Sequence, residues 1–316
     1  MFKRQLRLRA AGLTAGLVII GAAALHAQNN APAKMASGST VQEGLSLSKL
    51  PSGDEIIAKY EKFLGGKEAL AKVQTRVVWS RRIQDDGAPS ETILLRRSKR
   101  PNFSIMGQMF LDGTFAGWTN GCDGTNGWSG GGGGGKGQIK EYAPAVAAGP
   151  ICHQELAFYG YFVLDADVMR KAYKSFQVKS ELRIVQPPVS IYGSLAGGKG
   201  KDLVPEGPRD AYLVLAVPAE EGDIGTWLVF DKETGALLRR QYDAEPVPGP
   251  PGRNSNFTSY LQYRAVGDGT VSAFQFASQN KGGLTRGIHT KIEDNVPISD
   301  DVFIKPKNST REDKGL

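Results

Sequence analysis

The stretch from residue 257 to residue 293, FTSYLQYRAVGDGTVSAFQFASQNKGGLTRGIHTKIE, decides the fold class. It reads as three strands, Phe257–Val266, Val271–Ser278 and Leu284–Glu293. They are joined by Gly267-Asp268-Gly269 and by Lys281-Gly282-Gly283. Aromatic and β-branched residues alternate with polar ones, and glycine-rich turns punctuate the runs, which is the pattern of half-buried hairpins. Consecutive hairpins with no helix between them call for one antiparallel sheet.

The same pattern extends upstream. Gln74–Gln84 and Glu91–Arg97 read as strands around an Asp85-Asp86-Gly87 turn. Phe103, Ile105, Gly107 and Met109 then share one strand face. Thr114–Trp118 and Asn126–Ser129 are shorter candidates, and Gln177–Val185 and Ala211–Val217 follow after the middle of the chain. Thr226–Phe230 and Ala236–Tyr242 flank a turn at Asp231-Lys232-Glu233-Thr234-Gly235. With 40 glycines in 316 residues, the composition suits turns and sheet rather than helical bundles.

Helices are few. Ser52-Gly53-Asp54-Glu55 is a capping box, and Ile56, Ile57, Tyr60, Phe63 and Leu64 recur behind it at helical spacing until Gly65-Gly66. Lys67–Val73, Gln138–Ala148, Gln154–Tyr159 and Asp165–Tyr173 are further helical candidates. A sheet this wide must curl or find a cover. The expected class is mainly β (α+β), a curved antiparallel sheet or half-open β-barrel covered by helices. Residues 51–305 are expected to form that single domain.

The ends are expected to lie outside it. Lys3, Arg4, Arg7 and Arg9 precede a small and apolar run, AAGLTAGLVIIGAAAL at 10–25, which ends in Leu25-His26-Ala27. Residues 1–27 therefore read as a signal peptide for export to the periplasm, residues 28–50 as a polar leader, and residues 306–316 as a tail. No cysteine stands near the cleavage point. Removing the four basic residues of the signal peptide leaves 35 basic against 32 acidic side chains, so net charge gives no reason to invoke nucleic acid. The clusters Arg81-Arg82 and Arg96–Arg100 read as charged strand faces.

Four segments, in order, carry a resemblance. They are PSGDEIIAKYEKFLGGKEALAKVQ at 51–74, DGTNGWS at 123–129, WLVFDKETGALLRRQ at 227–241 and IEDNVPISDDVFIKPK at 292–307. Together they resemble exported outer-membrane lipoprotein-sorting proteins, similar to the LolA/LolB carriers. The resemblance implies a LolA-like sheet covered by helices around an apolar cavity that holds acyl chains, with no catalytic residues. The glycine run at 130–135 and the two cysteines depart from that pattern.

Chemistry-bearing candidates are sparse. Cys122 and Cys152, thirty residues apart in an exported chain, read as a disulfide; two buried thiols, or haem on Cys152-His153, are the alternatives. Gly130–Lys136 imitates the front of a P-loop, but Gly137 stands where a Ser or Thr would hold magnesium. His289 alternates with Thr285, Gly287 and Lys291 and reads as solvated. Asp85-Asp86, Glu220-Glu221 and Asp300-Asp301 are adjacent pairs, which a strand points to opposite faces. No GxSxG or HExxH is present. No enzyme activity, metal or cofactor is expected.

The remaining candidates are apolar: Ile93, Leu95, Phe103, Ile105, Leu228, Phe230, Leu261 and Tyr263, expected to line a cavity for lipid or lipoprotein acyl chains. The expected partner is a lipid or an acylated lipoprotein, with a membrane-associated protein also possible. The alternative is a scaffolding subunit that uses the same fold to hold a protein partner.

Overall fold

The computed structural model describes residues 50–84, 87–100, 103–110, 115–124, 127–131, 140–141, 166–186, 196–198, 200–219, 225–241, 257–267, 269–280 and 283–304. The signal-peptide segment, leader residues 28–49, the tail, glycine-run residues 132–135 and Cys152 lie outside them. The chain divides into residues 1–47 and 48–316, and only the second unit holds described residues.

Helix α1 (Gly53–Phe63) starts as its sequence dictates. The Ser52 hydroxyl accepts from the Glu55 amide at 3.2 Å, and the Glu55 carboxylate accepts from the Ser52 amide at 2.6 Å. Two orphan donors of the first turn are thereby satisfied. Gly53 must be glycine, because a Cβ there would meet the Phe176 carbonyl oxygen at 2.0 Å. Helix α2 (Lys67–Lys72) follows at once, and α3 (Ala166–Ala172) comes much later.

Among the described residues, thirteen strands form one antiparallel sheet. They are β1 (Thr75–Ile83), β2 (Pro89–Lys99), β3 (Phe103–Phe110), β4 (Phe115–Asp123), β5 (Gly127–Gly131), β6 (Lys140–Glu141) and β7 (Tyr173–Val185). The others are β8 (Pro208–Pro218), β9 (Thr226–Asp231), β10 (Leu237–Gln241), β11 (Phe257–Val266), β12 (Thr270–Asn280) and β13 (Gly283–Asp294). The order is β6-β5-β4-β3-β2-β1-β13-β12-β11-β10-β9-β8-β7. Every neighbour but one is consecutive in sequence; the exception is β1 against β13, where the first strand closes onto the last. The sheet is open and curled. One helical expectation fails: Lys140–Glu141 pairs with β5 as a strand, because the sheet extends to a thirteenth partner there.

The ladder pairs define two faces. Leu228 and Phe230 of β9 face α1 and α3, packing with Ile57, Tyr60, Met169 and Val214. This is the inner face. Burying each of these side chains contributes roughly 1.5–3 kcal/mol. Val229, between them, points the other way and packs with Ala211, Leu213 and Leu238 on the outer face. Over β1–β3 the outer face is covered by the chain's own end: Val296 and Ile298 pack against Val77, Leu95 and Met109. Phe303, in a 3-10 turn at Asp300–Phe303, packs against Ile105. The Lys99–Asp300 ion pair, 2.5 Å, and the Thr75 hydroxyl donating to the Val296 carbonyl at 2.6 Å anchor this strap.

The β9–β10 turn is built by one carboxylate. Asp231 accepts from the amides of Glu233 (3.0 Å) and Thr234 (2.7 Å), from the Thr234 hydroxyl (2.9 Å), and from Arg209 on β8 at 2.7 and 3.1 Å. The Lys59 ammonium of α1 donates to the Lys232 carbonyl at 2.5 Å, which ties the helix to this turn.

Candidate inner-face binding site

Thirteen strands spaced about 4.8 Å apart span close to 60 Å, whereas α1, with eleven residues, is about 16 Å long. The described helices therefore cover only part of the inner face. Under α1 and α3 that face is apolar, formed by Phe176, Val178, Val214, Ala216, Leu228 and Phe230. Farther across the sheet it turns polar. Arg240 is the ladder partner of Leu228, and its guanidinium donates to the Tyr173 hydroxyl at 3.4 Å. The Tyr173 hydroxyl donates in turn to the Thr226 hydroxyl at 3.2 Å.

Beyond β11 the polar tract continues. Phe276 stacks on His289, with ring centroids 5.2 Å apart. His289 Nδ1 lies 2.8 Å from the Ser80 hydroxyl. Arg96 sits close enough to act on the His289 charge, and its guanidinium contacts the Met106 sulfur at 2.5 Å. Arg96, Arg240, Ser80, Ser98, Ser104 and His289 are all buried. The inner face is thus amphipathic across the strands, with an apolar floor beneath the helices and a buried polar tract beside it.

Two expectations are corrected here. His289 is 5% exposed, not solvated. The register of β13 against β1 shifts between Trp79 and Ser80, so Lys291 opposes Trp79 while His289 opposes Ser80. One extra residue therefore takes Lys291 to the other face, while His289 stays on the inner one beside Phe276. Gly287 makes room: a Cβ there would meet the Phe276 ring at 2.2 Å, so the ring can lie across it toward His289. Arg96 is likewise buried rather than part of a charged exposed face. Strand alternation puts it on the inner face, whereas Arg97 opposes Ile105 on the outer one.

Burial holds the His289 imidazole neutral, with its pKa pushed down to about 3, and the Arg96 charge adds to the effect. The unfolded chain takes up a proton near pH 6.5 that the folded chain refuses, so stability falls as pH drops from about 6.5 toward 3. The expected loss is about 2.5 kcal/mol by pH 4.5. Urea melts across that range should show this slope in the wild type and a flatter one in His289→Gln. Parallel slopes would contradict a buried neutral imidazole.

The eight apolar candidates do not come together on one surface. Leu228 and Phe230 form the inner floor. Ile93 and Leu95 pack with Val77 and Met109 beneath the C-terminal strap, and Phe103 and Ile105 pack beneath Phe303. Leu261 shares their side of the ladder through Gln275 and Ile288. Tyr263 joins the Val229 cluster, and its hydroxyl donates to the Leu237 carbonyl at 2.6 Å. Cys122 is buried on β4. Its suggested partner lies outside the described residues, so a Cys122–Cys152 disulfide is a proposal. Among the described residues, no group of three or more His, Cys, Asp or Glu could hold a metal ion. No described helix is long and apolar enough to cross a membrane.

No family model matches the chain, and no curated protein matches it. Solved structures do. A LolA superfamily protein from Nitrosomonas europaea matches at 12% identity and TM-score 0.45, over 81% of this chain and 99% of that one. A DUF1329 family protein from Desulfovibrio piger matches at 11% identity and TM-score 0.47, over 81% and 98%. An outer membrane lipoprotein-sorting protein domain from Vibrio parahaemolyticus matches at 12% identity and TM-score 0.42, over 79% and 95%. At these values no function passes from those proteins to this one.

Proposed function

We propose that this protein is a non-catalytic periplasmic carrier that holds the acyl chains of a lipid or lipoprotein on the inner face of its sheet. The observation that carries the reading is the amphipathic inner face: an apolar floor at Val214, Leu228 and Phe230 continues into the buried tract of Tyr173, Arg240, Ser80 and His289. An acyl chain would lie on the floor and its polar end would meet the tract. Transfer from water contributes about 25 cal/mol for each Å² of chain buried, so an enclosed chain gains several kcal/mol without a charged contact. The floor is closed by α1 and α3, with Leu228 1% exposed and Phe230 0%. Entry therefore requires the helices to lift, which exchanges their apolar stripe for the ligand's.

The expected result with a fluorescent fatty-acyl probe is saturable binding to the mature protein, weakened tenfold or more by Leu228→Trp, which fills the floor. Met109→Leu, beneath the strap on the outer face, should bind as the wild type does. No saturable binding, or equal binding by the Leu228→Trp protein, would overturn the reading.

A further inference from the structure

The outer face holds a charge that the proposed function does not use. Arg239 of β10 is 1% exposed, and it is the largest fully buried side chain among the described residues. Its guanidinium lies 4.9 Å above the Phe257 ring, and one Nη donates to the Val185 carbonyl at a long 3.5 Å. Its Nε finds no hydrogen-bond partner, and no carboxylate among the described residues pairs with it. Across the ladder, directly opposite, stands Ser259, fully buried with an unpartnered hydroxyl. Diagonal to Ser259 on β12 is Gln275, 1% exposed, whose side-chain oxygen is also unpartnered. Three adjacent strands thus carry, at neighbouring ladder positions, three buried side chains with an unsatisfied polar atom.

We infer that Arg239, Ser259 and Gln275 form a binding site for a phosphate group. A guanidinium fork, a hydroxyl and a carboxamide that can turn its NH₂ inward supply the donors that a tetrahedral oxyanion accepts. Burying an unpaired guanidinium is costly, and a bound anion removes that cost. Burial lowers the Arg239 pKa only to about 10, so the group is still charged at neutral pH. Phe257 braces the other side of the guanidinium by cation–π contact. The ladder sets this site apart from the acyl floor: Arg239 opposes Val229 on the outer face, whereas Leu228 faces the helices. It stands whether or not acyl chains bind.

The test is urea unfolding of the mature protein at constant ionic strength, with inorganic phosphate replacing chloride, for wild type, Arg239→Met, Arg239→Lys and Ser259→Ala. The wild-type midpoint should rise with the logarithm of phosphate concentration. Arg239→Met should be flat, and Arg239→Lys and Ser259→Ala should need at least tenfold more phosphate for the same shift. In chloride alone Arg239→Met should match or exceed the wild type, and phosphate should reverse that order. A purely structural Arg239 would give no such reversal. Should Arg239→Met fail to fold, Ser259→Ala and Arg239→Lys still carry the test. Phosphatidic acid vesicles at equal phosphate separate the sources: Arg239-dependent binding that inorganic phosphate displaces assigns the site to a lipid headgroup, and its absence beside a phosphate-dependent midpoint assigns it to the free ion. A wild-type midpoint that responds no more to phosphate than to chloride, or an Arg239→Met midpoint that rises in parallel, would overturn the site.

Discussion

Replacing Asp231 with alanine is expected to lower the unfolding free energy by about 3 kcal/mol, the loss expected when one partner of a buried ion pair is removed. The Asp231 side chain is fully buried and Arg209 is 12% exposed. The substitution strands the guanidinium and removes the acceptor for two turn amides and a hydroxyl at once. Glu233 can hold Arg209 only from an exposed position, so its compensation is small. Burial alone would raise the Asp231 pKa. The hydrogen bonds from Arg209 and Thr234, with the Arg209 charge, outweigh it and hold the carboxyl below its ordinary value. Its stabilisation is therefore complete above about pH 4, the unfolded value, and is lost as pH falls through the depressed folded value. Urea melts of Asp231→Ala, Arg209→Met and the double variant should show strong coupling. Additive losses would mean that the pair does not build the turn.

Phe230→Ala is expected to cost about 3–5 kcal/mol, the range for emptying a buried aromatic site. The Phe230 ring is fully buried, and the Tyr60 ring sits 5.4 Å away at a 60° tilt. Removing it opens a cavity between α1 and β9, with Leu228, Leu237 and Tyr60 as walls. The same change should admit a bulkier acyl chain and raise affinity for the fluorescent probe by several-fold. A loss below 1 kcal/mol would show that α1 does not pack on this floor, and the closed resting state would have to be abandoned.

How much of this was legible in the sequence depends on what fixes each feature. Strand β11 begins and ends where its pattern says, at Phe257 and Val266, because alternation and flanking glycine are local signals. The Ser52–Glu55 box is also local, and it caps α1 as written. The inner face is not local. Ile93 and Leu95 look like cavity residues, and Arg96 looks like surface, because hydrophobicity names a buried face but not which cover lies over it. Here both faces are buried: helices close one over β8 and β9, and Val296–Phe303 closes the other over β1–β3. The bulge opposite Ser80 leaves no signature in composition, yet it parts Lys291 from His289. The burial of Arg239 and Arg240 is not local either, since an Arg-Arg pair inside the strand Ala236–Tyr242 carries no sign that both neighbouring strands and their covers close over it.

The most direct test of acyl binding is native mass spectrometry of the mature protein, purified after export and without detergent, with organic extraction of whatever it carries. The account predicts a stoichiometric adduct of a lipid or acylated peptide that is lost on extraction and restored by incubation with phospholipid or lipopeptide. A bare protein mass, unchanged after those incubations, would contradict it.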